Sequence, residues 1–281
     1  MIATAGKAAK VRTRGNGLFW CGVGYLVLLV LFAIFGPSLK HPYDVTVGAP
    51  FLPPSGQFWL GTDEIGRDIF SRLAYGARLS LLIGVVVQVI AVAVGILVGV
   101  LSVFGPKWVS IPLQRFTDGM FAFPDLLLAI MIVGVFSMGV GPVILGLAVG
   151  AWPPVARLVK NQVASLKDRE FVTASRAMGA STFYLVIRHI LPHLWGVLLA
   201  VMMVDVAATI LAESTLSFLG IGVQPPEPSW GQMIQVGNLN KNSYPLLLLW
   251  PCLILSLTIF ALNFVGDGLR AMADPKKSGT H

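Results

Sequence analysis

The chain has 281 residues, 56% of them hydrophobic and only 12% charged, and its mean hydropathy is +0.79. That balance excludes a water-soluble globular domain and makes the bilayer the solvent for most of the chain. The net charge of +7 does not mark a nucleic-acid binder, because the basic residues are spread over segments between apolar runs and do not cluster with exposed aromatic residues.

Lys7, Lys10, Arg12 and Arg14 precede the first apolar run, Leu18 to Phe35. This resembles the start of a signal peptide, but the run is long enough to span the hydrocarbon core. No small-residue cleavage site follows, and Gly36-Pro37 ends the segment, so an uncleaved first span is expected. Cys21 and Cys252 both lie in apolar runs, and His41, His189, His193 and His281 lack metal-ligand spacing. Neither a disulfide framework nor a metal site is expected.

Next comes an outer segment, Leu60 to Leu81, in which Asp63, Glu64 and Asp68 alternate with Arg67, Arg72 and Arg78. Gly61, Gly66 and Gly76 suggest turns, and Ile69, Phe70, Leu73 and Leu79 suggest an amphipathic helix dipping into the interface. Low-charge runs then recur at Leu79 to Phe104, Met120 to Val140, Pro142 to Ala156, Leu194 to Leu211 and Pro245 to Val265. The fold expected is therefore an all-α integral membrane protein with six transmembrane helices. The third and fourth form a tight hairpin across Gly139 to Pro142. In the second, Ala91, Gly95 and Gly99, with Gly84 about two turns earlier, form a small-residue stripe for close helix packing. Asp118 and Asp125, around Phe123-Pro124, are expected to be structural.

With the N-terminus inside, the inner segments hold 15 lysines and arginines and the outer segments hold Lys40, Arg67, Arg72, Arg78 and Lys241. This threefold bias places both termini in the cytoplasm. A carboxylate at membrane depth costs on the order of 3 kcal/mol, so Asp205 and Glu213 need a protein-lined or watery setting. They stand about 80° apart in helical projection. Their side of the helix lines a translocation path or a helix interface, unless Glu213 already reaches the outer interface and is simply solvated.

The longest inner loop, 159–192, reads as helix, break, helix from Asp168 to Pro192. Asp168 is placed to cap the first helix, Ala174, Ala177 and Met178 are good helix formers, Gly179 suits a left-handed stop, and Ser181 can cap the next helix. Phe171, Ala174 and Met178 are expected on one face, as in a short helix that inserts into a partner's groove.

This loop resembles the EAA loop of the membrane subunits of binding-protein-dependent ABC importers. Thr173, Ala174, Ser175 and Gly179 stand at the motif positions, with Ile190-Leu191-Pro192 at its end. Thr173 replaces the acid and Ser175 the second alanine. The stretches 60–81, 212–231 and 263–275 resemble the C-type subunit of the dipeptide/oligopeptide/nickel permeases.

The resemblance implies a type I ABC importer permease fold in a bacterial or archaeal inner membrane. Residues 1–59 would supply the N-terminal tail, first span and outer segment, and 60–281 the permease core with five spans. Glu170, Thr173, Ala174, Ser175, Met178, Gly179 and Pro192 would couple to an ATPase. Gly61, Asp63, Gly66, Arg67 and Trp230 would face an extracytoplasmic substrate-binding protein, and Asp205 and Glu213 the path.

The implied partners are a sister permease and two ATPase subunits or domains, besides membrane lipid. The cargo would be di- or oligopeptides or a related small solute, with a nickel or metal chelate as the alternative. The chain has no G-x-x-x-x-G-K-[ST] loop, so ATP and Mg would be bound by the partner ATPases and no cofactor by this chain. A secondary transporter or channel would favour inverted repeats and intramembrane acids, and a membrane enzyme a Ser/His or paired-carboxylate constellation. The sequence shows no convincing repeat, few such acids and no such constellation.

Overall fold

The computed structural model describes residues 3–273, with side chains for residues 17–272. The side chains of Lys7, Lys10, Arg12 and Arg14, the two terminal lysines Lys276 and Lys277, His281, and the end of the 263–275 stretch lie outside the described residues.

Helices α1 (Ala3–Phe35), α2 (Ile69–Phe104), α3 (Lys107–Met120), α4 (Asp125–Phe136) and α5 (Val140–Leu166) form the first half of the chain. They are followed by α6 (Glu170–Ala177), α7 (Thr182–Leu185), a π-helical turn (Val186–Ile190), α8 (Leu191–Phe218), α9 (Trp230–Leu239) and α10 (Pro245–Ala273). Among the described residues, five helical segments are long and apolar enough to cross a membrane, and the bent pair α3 and α4 brings the number to as many as six.

Several expected boundaries move. The second span begins at Ile69, ten residues before Leu79, because Asp68 caps it: its carboxylate accepts the Phe70 N–H and the Ser71 hydroxyl. The expected interfacial helix is thus the first turns of α2. The third span is not the continuous run Met120 to Val140. Pro124 starts α4 and Ser137, at φ 77°, ends it, leaving 12 residues or about 18 Å, short of the roughly 30 Å core. The preceding helix α3 meets it at 93° and so adds no length along its axis. The fourth span runs on to Leu166. The second helix of the loop is not separate either, since Thr182–Phe218 is one continuous apolar segment through the π turn. An unanticipated helix, α9, starts where Ser229 accepts the Gln232 N–H.

The small-residue stripe sets the central packing. A Cβ on Gly95 would come within 2.6 Å of the Val155 side chain and one on Gly99 within 2.7 Å of Val159, so α2 and α5 run in close contact. Gly84 faces Ile210 of α8 instead. Three apolar clusters follow. One joins α2, α5, the π turn and α8 around Val155, Val159 and Leu194, a second joins α1, α2, α8, α9 and α10 around Leu73, Ile210 and Trp230, and a third joins the α4–α5 hairpin to α2 and Leu216.

Candidate functional site

At one end of the bundle, α6 begins at Arg169 without a side-chain cap. Asp168 is exposed beside Lys167 and does not cap it. The helix ends as its sequence demands: Gly179 is left-handed at φ +89°, the Gly179 N–H reaches the Arg176 carbonyl, and the Ala180 N–H reaches that of Ser175. Ser181 then accepts the Tyr184 N–H and opens α7.

The two faces of α6 differ sharply. Val172 is fully buried among Leu185, Val186, Ile190 and Leu194. Glu170, Thr173, Ala174, Ala177 and Met178 are exposed, Met178 by 81%, and their spacing of 0, 3, 4, 7 and 8 residues puts them on one stripe. Phe171, itself exposed, shares that side of the helix with Ala174 and Met178 at i, i+3, i+7 spacing. Its ring stacks on His193 at 5.1 Å. Ser175 turns inward, donating to the Phe171 carbonyl and lying 3.4 Å from the His189 Nε2. Pro192, exposed in the first turn of α8, has no N–H to donate, and the π turn before it widens the helix just where that donor is missing. Ser175, His189 and His193 thus join α6 to α8, a role that the sequence pattern of the loop did not signal.

At the opposite end, residues 61–72 form a collar whose side chains fold in on themselves. Asp63 accepts the Ile65 and Arg67 N–H groups on Oδ1, and on Oδ2 takes Arg67 Nε at 2.6 Å and Arg72 Nε at 3.3 Å. Arg72, 4% exposed, also donates to the Tyr43 carbonyl. Gly61 and Gly66 are left-handed, at φ +88° and +82°, and a Cβ on either would strike the backbone carbonyl of Leu52 or Gly48. Trp230 is fully buried and donates its indole N–H to the Leu73 carbonyl at 3.1 Å.

The five residues expected on the outer surface, Gly61, Asp63, Gly66, Arg67 and Trp230, are therefore all buried. The physical reason is that complementary charges at short spacing satisfy each other before they satisfy a partner. Ile65 and, in part, Glu64 are what the turn presents. Between the collar and α9 lies an open cleft of about 470 Å³, lined by Glu64, Arg72, Gln232, Met233 and Leu247 among others.

Glu213 is not solvated at an interface. It is fully buried between α8 and α2, accepting from Ser217 at 2.8 Å, Ser80 at 3.2 Å and Ser214 at 3.4 Å. Asp205 is partly exposed. Its backbone carbonyl takes the Thr209 hydroxyl and the Gln88 amide, and Gln88 also donates to Thr209 at 2.8 Å. The structure therefore assigns the two acids different surroundings, one a helix clamp and the other a partly open position. Ser80 and Gln88 were legible as polar residues inside an apolar run, but only packing shows that Ser80 serves the Glu213 carboxylate while Gln88 reaches the Asp205 backbone and Thr209. Asp118 pairs with Arg157 at 3.1 Å, a structural contact between α3 and α5.

Residues 91–279 match the family described as binding-protein-dependent transport system inner membrane component. The chain belongs to this family. It is 38% identical over 273 residues to the oligopeptide transport system permease protein OppC of Bacillus subtilis (strain 168), covering 96% of this chain and 89% of the relative. To the dipeptide transport system permease protein DppC of the same strain it is 37% identical over 269 residues, covering 94% and 84%. To the glutathione transport system permease protein GsiD of Escherichia coli O6:K15:H31 (strain 536 / UPEC) it is 38% identical over 259 residues, covering 91% and 85%.

Among solved structures, a chain of the MetNI methionine ABC transporter in inward-facing conformation (CY5 native crystal form) superposes with a TM-score of 0.58 at 20% identity, over 72% of this permease and 96% of that chain. That likeness supports the fold alone, the type I ABC importer permease fold.

Proposed function

We propose that this permease is one of two membrane subunits of a peptide importer and that α6 is the element through which separate ATPase subunits drive it. The observation that carries this reading is the exposed stripe Glu170, Thr173, Ala174, Ala177 and Met178 on a helix otherwise fastened to α8. Small residues around a protruding Met suit insertion into a cleft, and burying one Met side chain supplies about 1.5–3 kcal/mol. Identity of 37–38% to permease proteins named for oligopeptide and dipeptide transport supports the peptide cargo.

In this reading both termini and α6 lie in the cytoplasm, as the basic-residue bias favours. The collar, through Ile65 and Glu64, faces the outside and the extracytoplasmic binding protein. ATP-driven closure of the ATPase dimer moves α6, and the fastening of α6 by Val172, by Phe171 on His193 and by Ser175 against His189 passes that movement to the 182–218 helix. The spans then switch between inward-facing and outward-facing states, a two-state equilibrium biased by nucleotide. Cargo passes between this chain and the sister permease, with Asp205 on the path.

Copurification tests the assembly: a stable complex with an ATPase is expected, and its absence sinks the reading. Gly179→Val is the sharper probe. Nothing lies within 4 Å of a Cβ there, so the strain is confined to the left-handed backbone, about 1–2 kcal/mol and more for a β-branched residue. Transport is expected to fall at least tenfold while the protein still reaches the membrane. For the path, Asp205→Asn should lower peptide uptake severalfold without loss of assembly, and unchanged uptake removes Asp205 from it.

A further inference from the structure

The helix α3 is amphipathic the wrong way round for a helix that faces water. The side it packs against α2 and α5 carries Ser110, Gln114 and Thr117 beside Leu113 and Met120, with Gln114 donating to the Ser102 carbonyl at 2.9 Å and accepting from Lys160 at 2.8 Å. The side it exposes carries Trp108 at 78%, Ile111 at 55% and Phe116 at 60%, with Pro112 and Arg115 between them. Positions 108, 111, 112, 115 and 116 fall on one stripe at helical spacing. Turning apolar groups outward and polar groups inward is favourable only where the surroundings are themselves apolar.

The depth of α3 follows from its neighbours. The apolar run of α2 ends at Phe104, just before α3 begins, and the apolar run of α5 ends at Ala156, one residue before the Arg157 that pairs with Asp118 of α3. The bend of 93° against α4, which packs along α5, lays α3 across the direction of the spans. So α3 lies at the rim of the hydrocarbon zone, where tryptophan is favoured and basic side chains reach phosphates.

Arg157 and Lys160 are engaged by Asp118 and Gln114, but Lys107 and Arg115 make no ion pair or side-chain hydrogen bond among the described residues. Both are exposed, and eight residues place them about 12 Å apart, room for two headgroups.

We propose that α3 is an interfacial lipid-binding helix, with Trp108, Ile111 and Phe116 buried at the acyl boundary and Lys107 and Arg115 holding the phosphates of anionic phospholipids. Two observations fix this occupant: the face continues the apolar belt of the spans, and its uncommitted charges are both positive. The inference rests on the proposed orientation only in naming the leaflet, which is the cytoplasmic one.

The test uses the full chain with its partner subunits in nanodiscs of phosphatidylcholine, alone or mixed equally with phosphatidylglycerol, one lipid at a time carrying brominated acyl chains. The fluorescence of Trp108 is taken as the difference between wild type and Trp108→Phe. Brominated lipid is expected to quench it, and brominated phosphatidylglycerol more than brominated phosphatidylcholine by about fivefold in relative occupancy. The double variant Lys107→Gln/Arg115→Gln is expected to abolish that preference while keeping the quenching itself.

If Trp108 escapes quenching by either lipid, protein covers the face and the proposal fails. If both lipids quench equally in wild type, the phosphate contacts fail. The readout needs neither ATP hydrolysis nor cargo, so a failed coupling experiment with quenching intact removes the proposed function and leaves this inference standing.

Discussion

The α6 loop and the outer collar are both dense in polar residues, and from sequence both read as surfaces for a partner, yet they fold in opposite senses. In α6 the fully buried Val172, Ser175 against His189 and the Phe171 ring stacked on His193 hold the helix, and the stripe from Glu170 to Met178 points away. In the collar, Asp63 is shared by Arg67 and Arg72, and the glycines close the turn around them, so the charged residues become the interior. The lesson concerns charge balance. Matched acids and bases three to nine residues apart become their own partners where left-handed glycines fold the segment back on itself, as at Gly61 and Gly66, whereas the straight α6 leaves Glu170 without an ion pair among the described residues.

That contrast can be broken most forcefully at Asp63. Asp63→Ala would strand the buried Arg72 and Arg67 guanidinium groups and two backbone donors, which costs about 3–5 kcal/mol. The expected outcome is loss of most folded protein, read by thermal unfolding in detergent. A stable variant with transport intact would mean that the collar is not the scaffold described above.

A middle-sized effect is expected at the other end. Met178→Ser removes the most protruding side chain of the stripe, so thermal stability should stay within about 0.5 kcal/mol while affinity for the ATPase falls about tenfold. Lost stability with unchanged ATPase binding would reverse the roles assigned to the two regions.

The smallest effect belongs to Ile65, the exposed tip of the collar. Ile65→Ala should leave folding unaltered and weaken binding-protein docking severalfold, measured with purified binding protein and permease in nanodiscs. If docking is untouched, the contact lies elsewhere on this face, with the cleft beside Gln232 and Met233 the next surface to mutate.

Much was legible in the residues themselves because it depends on local chemistry. Apolar run length determined that the chain crosses the membrane repeatedly, and the left-handed stop at Gly179 and the serine cap at 181 were readable because backbone conformation and capping are short-range effects. The Gly95 and Gly99 stripe marked a packing face for the same reason, since only small residues let helices approach so closely.

Only the tertiary structure decided which way side chains turn and which helices share them. It buried Trp230, Asp63 and Arg67, set Glu213 against Ser80, 133 residues away, and fastened Ser175 to His189. It also broke the third span at Pro124, leaving α3 with its apolar side outward. The Trp230–Leu73, Glu213–Ser80 and Ser175–His189 contacts join distant residues, and Asp63 and Arg67 are buried because the 43–52 segment packs over their turn. The outward side of α3 follows from a bend between elements, and none of these is revealed by spacing or composition alone.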